Sequence, residues 1–320
     1  MSDIFFKELK IRKPDINILS GSGTHSEQTS KIMVGLEKEF LKLRPNLVIV
    51  VGDVNSTLAS ALVTSKLHIP LAHVEAGLRS YDITMPEEIN RIVTERISEL
   101  LFTPSMDANE NLRKEGIDKK KIHFTGNIMI DTLAGFIKKS NSHAILYKYN
   151  LDKKNYCFIT LHRPSNVDDK ETFEKLARAI NKMSKKIKII FPVHPRTEAR
   201  IKKFRLQKYF DETNIIITEP IGYIDAIGLT ASSKFVVTDS GGIQEETTYL
   251  KVPCLTLRNN TERPVTATIG TNTVIGTDTA LLLNKFEEIM NGKYKKGTIP
   301  KYWDGNAAVR IVNILKRRFL

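Results

Sequence analysis

Thr238-Asp239-Ser240-Gly241-Gly242-Ile243-Gln244-Glu245-Glu246 is the stretch that decides how this chain is read. Before it, Lys234 to Val237 is a short apolar run of strand type, and after it Gln244 to Leu250 reads as helix. A strand ends, two glycines are expected to turn the backbone, and a helix begins. Such a junction brings a ligand close to the main chain and offers it the unpaired N–H groups of a helix N-terminus, so a phosphate fits there without a side-chain cation. The Gly-Gly pair alone fits equally well a tight turn in any doubly wound protein. The acidic pair Glu245 and Glu246 does not decide between them, since acids are common in a first helical turn.

Outward from this junction the pattern repeats. Leu47 to Val51 is a continuous apolar run, as in a buried parallel strand, and it ends in Gly52-Asp53. Helix Ser56 to Leu67 and strand Ile69 to Glu75 complete a strand–helix–strand unit. Pro86 suits the first position of the next helix, to which Ile89, Ile92, Val93, Ile97 and Leu100 lend an apolar face. Leu101 to Thr103 and Lys121 to Thr125 continue the alternation. Lys138 to Asn155 is polar and irregular and is read as a junction between domains 1–138 and 139–305. Further strands follow at Tyr156 to Leu161, Ile187 to Val193, Ile215 to Thr218, Cys254 to Leu257 and Thr273 to Ile275. Ala307 to Arg318 closes the chain as a helix. Upstream, Asp3 to Leu9 reads as helix, and Thr24 to Glu27 has capping-box spacing ahead of Ile32, Met33, Leu36 and Phe40. Asp53, Glu75, His162, His194 and Ser240 all fall where strands end, the place where open parallel sheets bind ligands.

Composition narrows the classes. The 320 residues suffice for two domains, and 41% hydrophobic with 27% charged residues is the balance of a soluble globular protein. No apolar run approaches the ~20 residues of a membrane helix. Cys157 and Cys254 are the only cysteines, without metal-ligand spacing, so a reducing cytoplasm is expected, with no disulfide framework and no metal. The net charge of +13 raises nucleic-acid binding, but the lysines are scattered and lack interleaved aromatics. Solvated helix faces and a small anionic substrate account for them better.

The motifs His73-Val74-Glu75-Ala76-Gly77-Leu78-Arg79, Pro86-Glu87-Glu88-Ile89-Asn90-Arg91 and Asp239 to Glu246 resemble the non-hydrolysing UDP-N-acetylglucosamine 2-epimerases. Gly126-Asn127, His194-Pro195-Arg196 and Thr261-Glu262-Arg263-Pro264 extend the resemblance along essentially the whole chain. It implies an α/β fold of two Rossmann-like domains facing a cleft in the glycosyltransferase-B arrangement, with helix 306–320 packing back on the first domain. The family opens with a strand and a Gly-Thr-Arg-Pro-Glu turn that have no counterpart here. An incomplete first domain, with unpaired backbone on both neighbours of the absent strand, is therefore expected. Ser165, Val265 and Val54 stand where the family usually has Glu, Glu and Thr.

The resemblance also implies a chemistry. UDP leaves carbon 1 of the sugar, a base removes the carbon-2 proton, and UDP adds back with protonation from the other face. It makes Asp53, Glu75 and Glu87 the acid/base carboxylates. Arg91 sits four residues from Glu87 on one helix face, and His162 is a donor near the diphosphate. Ser240, Gly241 and Gly242 would hold phosphate, Glu246 the ribose hydroxyls, and Arg263 the UDP. His194 matches a second, activating substrate site. No cofactor is implied, and a homodimer is expected. A UDP-sugar glycosyltransferase of the same architecture and a non-catalytic, truncated or split-chain nucleotide-sugar-binding protein are the alternatives.

Overall fold

The computed structural model describes residues 11–140, 142–211 and 213–319; the helix expected over Asp3 to Leu9 lies outside them. The described residues form two compact units, residues 12–131 with 301–319, and residues 132–300.

In the 12–131 unit, helix α1 (His25–Leu43) leads to strand β1 (Val48–Val51), helix α2 (Asn55–Lys66), β2 (Leu71–Val74), α3 (Pro86–Ile97), β3 (Leu100–Thr103), α4 (Met106–Lys114) and β4 (Ile122–Phe124). Helix α5 (Ile128–Ile137) crosses the division between the units. The strands form a parallel sheet in the order β1-β2-β3-β4. The α1 start is a complete capping box, with Thr24 and Glu27 bonding each other's backbone N–H. Helix α14 (Ala307–Phe319) begins on the carboxylate of Asp131, which accepts from the N–H groups of Ala307 and Ala308. It lays Ile311, Ile314, Leu315 and Phe319 against Ala72, Val74, Leu100 and Phe102 of the sheet. Gly126 makes room for this return. Its φ is +89°, and a Cβ there would sit 2.1 Å from the Tyr302 carbonyl oxygen.

Two expectations fail in this unit. The run Leu47 to Val51 is not a strand buried on both faces. Among the described residues β1 pairs only with β2, and Ile49 and Val51 are 47% and 52% exposed. The unpaired backbone is on β1 itself, at the sheet edge. Nor does α3 bury Ile89 and Ile92, although Ile97 at its end packs against the cluster of Val50, Ala61 and Leu71. Ile89 and Ile92 are 44% and 39% exposed, while Glu88, Asn90, Arg91, Thr94 and Glu95 are buried. The polar face goes inward because every charge on it finds a partner there, which offsets its desolvation.

In the 132–300 unit, α6 (Ser142–Lys148) forms in the stretch read as irregular, burying Ile145 and Leu146. It precedes β5 (Tyr156–Thr160), α7 (Pro164–Val167), α8 (Lys170–Ser184), β6 (Lys188–Pro192), α9 (Pro195–Phe204), β7 (Ile215–Thr218) and α10 (Tyr223–Ser232). Then come β8 (Phe235–Thr238), α11 (Gly241–Leu250), β9 (Cys254–Thr256), α12 (Pro264–Thr268), β10 (Asn272–Val274) and α13 (Thr279–Met290). The six strands are parallel in the order β10-β9-β8-β5-β6-β7. Chain order reverses between β5 and β8, so their carboxyl ends form the switch point at which such sheets bind ligands. Apolar clusters cover both faces. Among the described residues no helix is long and apolar enough to cross a membrane, and no group of three or more His, Cys, Asp or Glu could hold a metal.

Candidate active site

In the 12–131 unit the candidate carboxylates Asp53 and Glu75 stand at the ends of β1 and β2, which run side by side in register with Val51 opposite Val74. Gly52 (φ +70°) turns the chain after β1 and presents Asp53. Its carbonyl is held by the buried His73, whose Nε2–H donates to it across 2.8 Å. Burial depresses the His73 pKa to about 4, so this ring is neutral and structural. Glu75, directly after β2, adopts φ +71°, a left-handed conformation that glycine favours. Holding a glutamate there costs on the order of 1–3 kcal/mol. Its carboxylate lies near Gly52, 3.7 Å from where a Cβ would stand.

Arg91 ties this end of the sheet to α3. Its guanidinium donates to Asp53 through one nitrogen and to Glu88 through another at 2.5 Å, and Asn90 Nδ2 donates to the Asp53 carbonyl at 2.8 Å. Glu88 also accepts from the N–H and hydroxyl of Ser80 and the N–H of Tyr81, each at 3.0 Å. Burial resists its ionisation, but the Ser80 amide and Arg91 outweigh that and hold its carboxyl below the usual range. Within α3 the ion pair of Arg91 is with Glu88, three positions away, and not with Glu87. Glu87 instead lines a pocket with His25, Gln28, Asn55 and Asn90. One layer further in, Glu95 accepts from the Gly77 N–H at 2.6 Å and pairs with Arg79, which also binds Glu115. This buried network fixes the loop that follows Glu75.

In the 132–300 unit a pocket of about 260 Å³ opens at the carboxyl ends of β5, β6 and β8. His162, His194, Tyr223, Ile243 and Glu246 line it. Thr160 and Thr238 join across the strand ends through their hydroxyls at 2.7 Å. Ser240 is the N-cap of α11. Gly241 and Gly242 do not turn the backbone as expected. Neither has a positive φ, and both lie in the first helical turn. Gly241 matters for want of a side chain, since a Cβ would come 2.8 Å from Nη1 of Arg263. Arg263 pairs with Glu245 at 3.0 Å and Glu262 at 2.7 Å, and Glu262 also pairs with Arg258 at 2.8 Å. Burial opposes ionisation of Glu262, but the two arginines bring its pKa down to about 2. Glu246 differs. Burial, with the nearby Glu245 charge, raises its pKa to about 7 against the opposing hydrogen bond from Tyr223.

Of the residues expected from the sequence, the structure brings Asp53, Glu75 and Arg91 together in one unit, with Glu87 on the same helix as Arg91. It brings His162, His194 and Glu246 together around one pocket in the other, where Ser240, Gly241 and Gly242 begin α11 and Arg263 lies over Gly241. His194 stands 5.8 Å from the ring of His162. Asp239, Glu88, Glu95 and Tyr223 escaped the sequence reading as functional. Asp239 and Glu88 adjoin Ser240 and Glu87 within the motifs Asp239 to Glu246 and Pro86 to Arg91.

A model of the family described as UDP-N-acetylglucosamine 2-epimerase matches residues 1–316. A UDP-N-acetylglucosamine 2-epimerase of Methanococcus maripaludis is 43% identical over 98% of this chain and 87% of its own length. A UDP-2,3-diacetamido-2,3-dideoxy-D-glucuronate 2-epimerase of Pseudomonas aeruginosa is 37% identical over 99% of this chain and 88% of its own. The crystal structure of the Methanocaldococcus jannaschii UDP-GlcNAc 2-epimerase in complex with UDP-GlcNAc and UDP superposes with a TM-score of 0.89. It is 43% identical and covers 99% of this chain and 88% of that one. The strand-end carboxylates, the switch-point pocket and these likenesses agree, and the chain belongs to the UDP-N-acetylglucosamine 2-epimerase family.

Proposed function

We propose that this protein interconverts UDP-N-acetylglucosamine and UDP-N-acetylmannosamine by elimination and re-addition of UDP. The observation that carries the reading is the set of Asp53, Glu75 and Arg91 at adjoining strand ends, with Glu87 on the helix that carries Arg91. The carbon-2 hydrogen of the intact sugar is not acidic, because no carbonyl adjoins it, so a base can remove it only as UDP departs. The carboxylates supply the acid/base groups. In the other unit, His162 and the N-terminus of α11 with Ser240, Gly241 and Gly242 serve the departing diphosphate. Glu246 takes the ribose hydroxyls, and Arg263 adds positive charge beside Gly241. A glycosyltransferase would need the second set but not the first.

The 37% identical Pseudomonas relative favours a second reading, in which the sugar is a diacetamido uronic acid. The greater likeness to the methanogen enzymes supports N-acetylglucosamine. Nuclear magnetic resonance of the purified protein with each UDP-sugar separates the two. Formation of the 2-epimer from UDP-N-acetylglucosamine supports the reading, and turnover of the uronic acid alone rejects it. The exposed Ile89 and Ile92 on α3 support a homodimer through that face. Light scattering of Ile89→Asp should then give a monomer where the wild type gives a dimer. The two buried free cysteines support a reducing, cytoplasmic setting.

A further inference from the structure

The carboxylate of Asp239 is fully buried, and its two oxygens have different partners. Oδ2 accepts from the backbone N–H of His162 at 2.9 Å, the backbone N–H of Arg163 at 2.8 Å and Nδ2 of Asn166 at 3.1 Å. Oδ1 faces Nδ1 of His162 at 2.9 Å. Asn166 is itself anchored, donating to the Leu257 carbonyl at 2.8 Å. Three donors from the segment after β5 thus converge on one oxygen of a side chain from the end of β8, and a ring nitrogen stands at contact distance from the other, across the switch point of the sheet.

We propose that Asp239 is the positioning residue that sets the tautomer of His162, so that Nδ1 carries the fixed proton and Nε2 is the nitrogen offered to the ligand. A carboxylate only accepts, so an unprotonated Nδ1 would set two lone pairs against each other at 2.9 Å. The neutral His162 ring therefore accepts at Nε2 and donates there only after taking up a proton, which Asp239 stands ready to balance. His194 has the opposite arrangement. Its Nδ1 accepts from the Arg196 N–H at 3.2 Å, which leaves the proton of its neutral ring on Nε2. The pocket thus holds one neutral imidazole with a bare outer nitrogen and one whose outer nitrogen carries the proton. This assignment rests on reading the pocket as the nucleotide site only for its catalytic consequence. The tautomer itself follows from the contacts.

Asp239→Asn gives a directional test. The three N–H donors at Oδ2 require an oxygen, so the amide oxygen takes that place and the amide NH₂ faces His162 Nδ1. The ring must then accept at Nδ1 and move its proton to Nε2. Long-range proton–nitrogen spectra of 15N-histidine-labelled protein, at a pH where the ring is neutral and assigned with His162→Gln, read this directly. We expect the Nδ1–H form in the wild type and the Nε2–H form in Asp239→Asn. An Nε2–H ring in the wild type, which needs no variant to fold, overturns the proposal, as does the same tautomer in both proteins. If the protein turns over UDP-N-acetylglucosamine, Asp239→Asn should lose at least about tenfold in kcat, a larger factor than any change in UDP affinity by calorimetry. Wild-type kcat with a reversed tautomer would also overturn the positioning role. Should neither protein be active, the spectra still decide the tautomer, and only the epimerase reading falls.

Discussion

Arg91 joins Asp53 to Glu88 through two nitrogens of one guanidinium, so the carboxylate at the end of β1 is fixed by the helix that follows β2. Lysine offers a single point charge and cannot make this bridge. Arg91→Lys should therefore keep the fold and lose most turnover. Arg91→Met leaves the buried Glu88 without its counter-charge and should cost about 3–5 kcal/mol of stability. Urea denaturation measures the second effect. A Met variant as stable as the wild type would show that the Ser80 and Tyr81 donors suffice for Glu88.

The carboxylates divide cleanly from the nucleotide residues. Asp53→Asn, Glu75→Gln and Glu87→Gln should each lower turnover by about a hundredfold or more. UDP affinity, read by calorimetry, should not move, because none of them lies in the unit that holds the pocket proposed for UDP. Near-wild-type turnover in all three would remove the acid/base role.

The ribose role proposed for Glu246 makes nucleotide binding depend on pH. Its folded pKa of about 7 lies above the ordinary carboxyl value of 4.5. Its contribution to the stability of the free protein is thus fully present below 4.5 and is lost as pH rises through about 7. Ribose hydroxyls donate to the carboxylate form, so UDP should bind more tightly as pH rises through the same window, with release of a proton within it. Calorimetry in buffers of differing ionisation enthalpy measures that proton. Glu246→Gln should abolish this part of the pH dependence and weaken binding by roughly 1–3 kcal/mol. An unchanged proton count in the variant would assign the proton elsewhere.

Two glycines in helices should respond in opposite directions to alanine. At Gly241 the new methyl meets Arg263 Nη1 at 2.8 Å, beside the turn assigned to phosphate, so UDP affinity should fall several-fold. At Gly135 in α5 nothing lies within 4 Å, and alanine should raise stability by about 0.4–1 kcal/mol. Thermal melts with and without UDP distinguish the two.

The order of strands and helices was legible because each strand of a doubly wound sheet is a short apolar run and some helices announce their starts. Thr24 and Pro86 mark starts that the structure keeps. The facing of α3 was not legible. Ile89 and Ile92 have helical spacing, yet the helix turns Glu88, Arg91 and Glu95 inward, and no local rule announces partners that come from Asp53, Ser80 and Arg79. The exposed face of β1 was hidden for a similar reason, since an apolar run does not say whether a neighbour covers it. The strand-end residues were found because chemistry at a sheet's carboxyl edge is set by topology. Asp239 was missed because its work is done toward His162, 77 positions earlier in the chain.

The central claim is tested most directly by incubating the purified protein with UDP-N-acetylglucosamine alone in deuterated water and following carbon 2 by proton resonance. The account predicts loss of the carbon-2 proton signal in both epimers as solvent deuterium enters, and its absence in Glu75→Gln. Substrate that keeps its carbon-2 proton in the wild type, while UDP still binds the 132–300 unit, would contradict it.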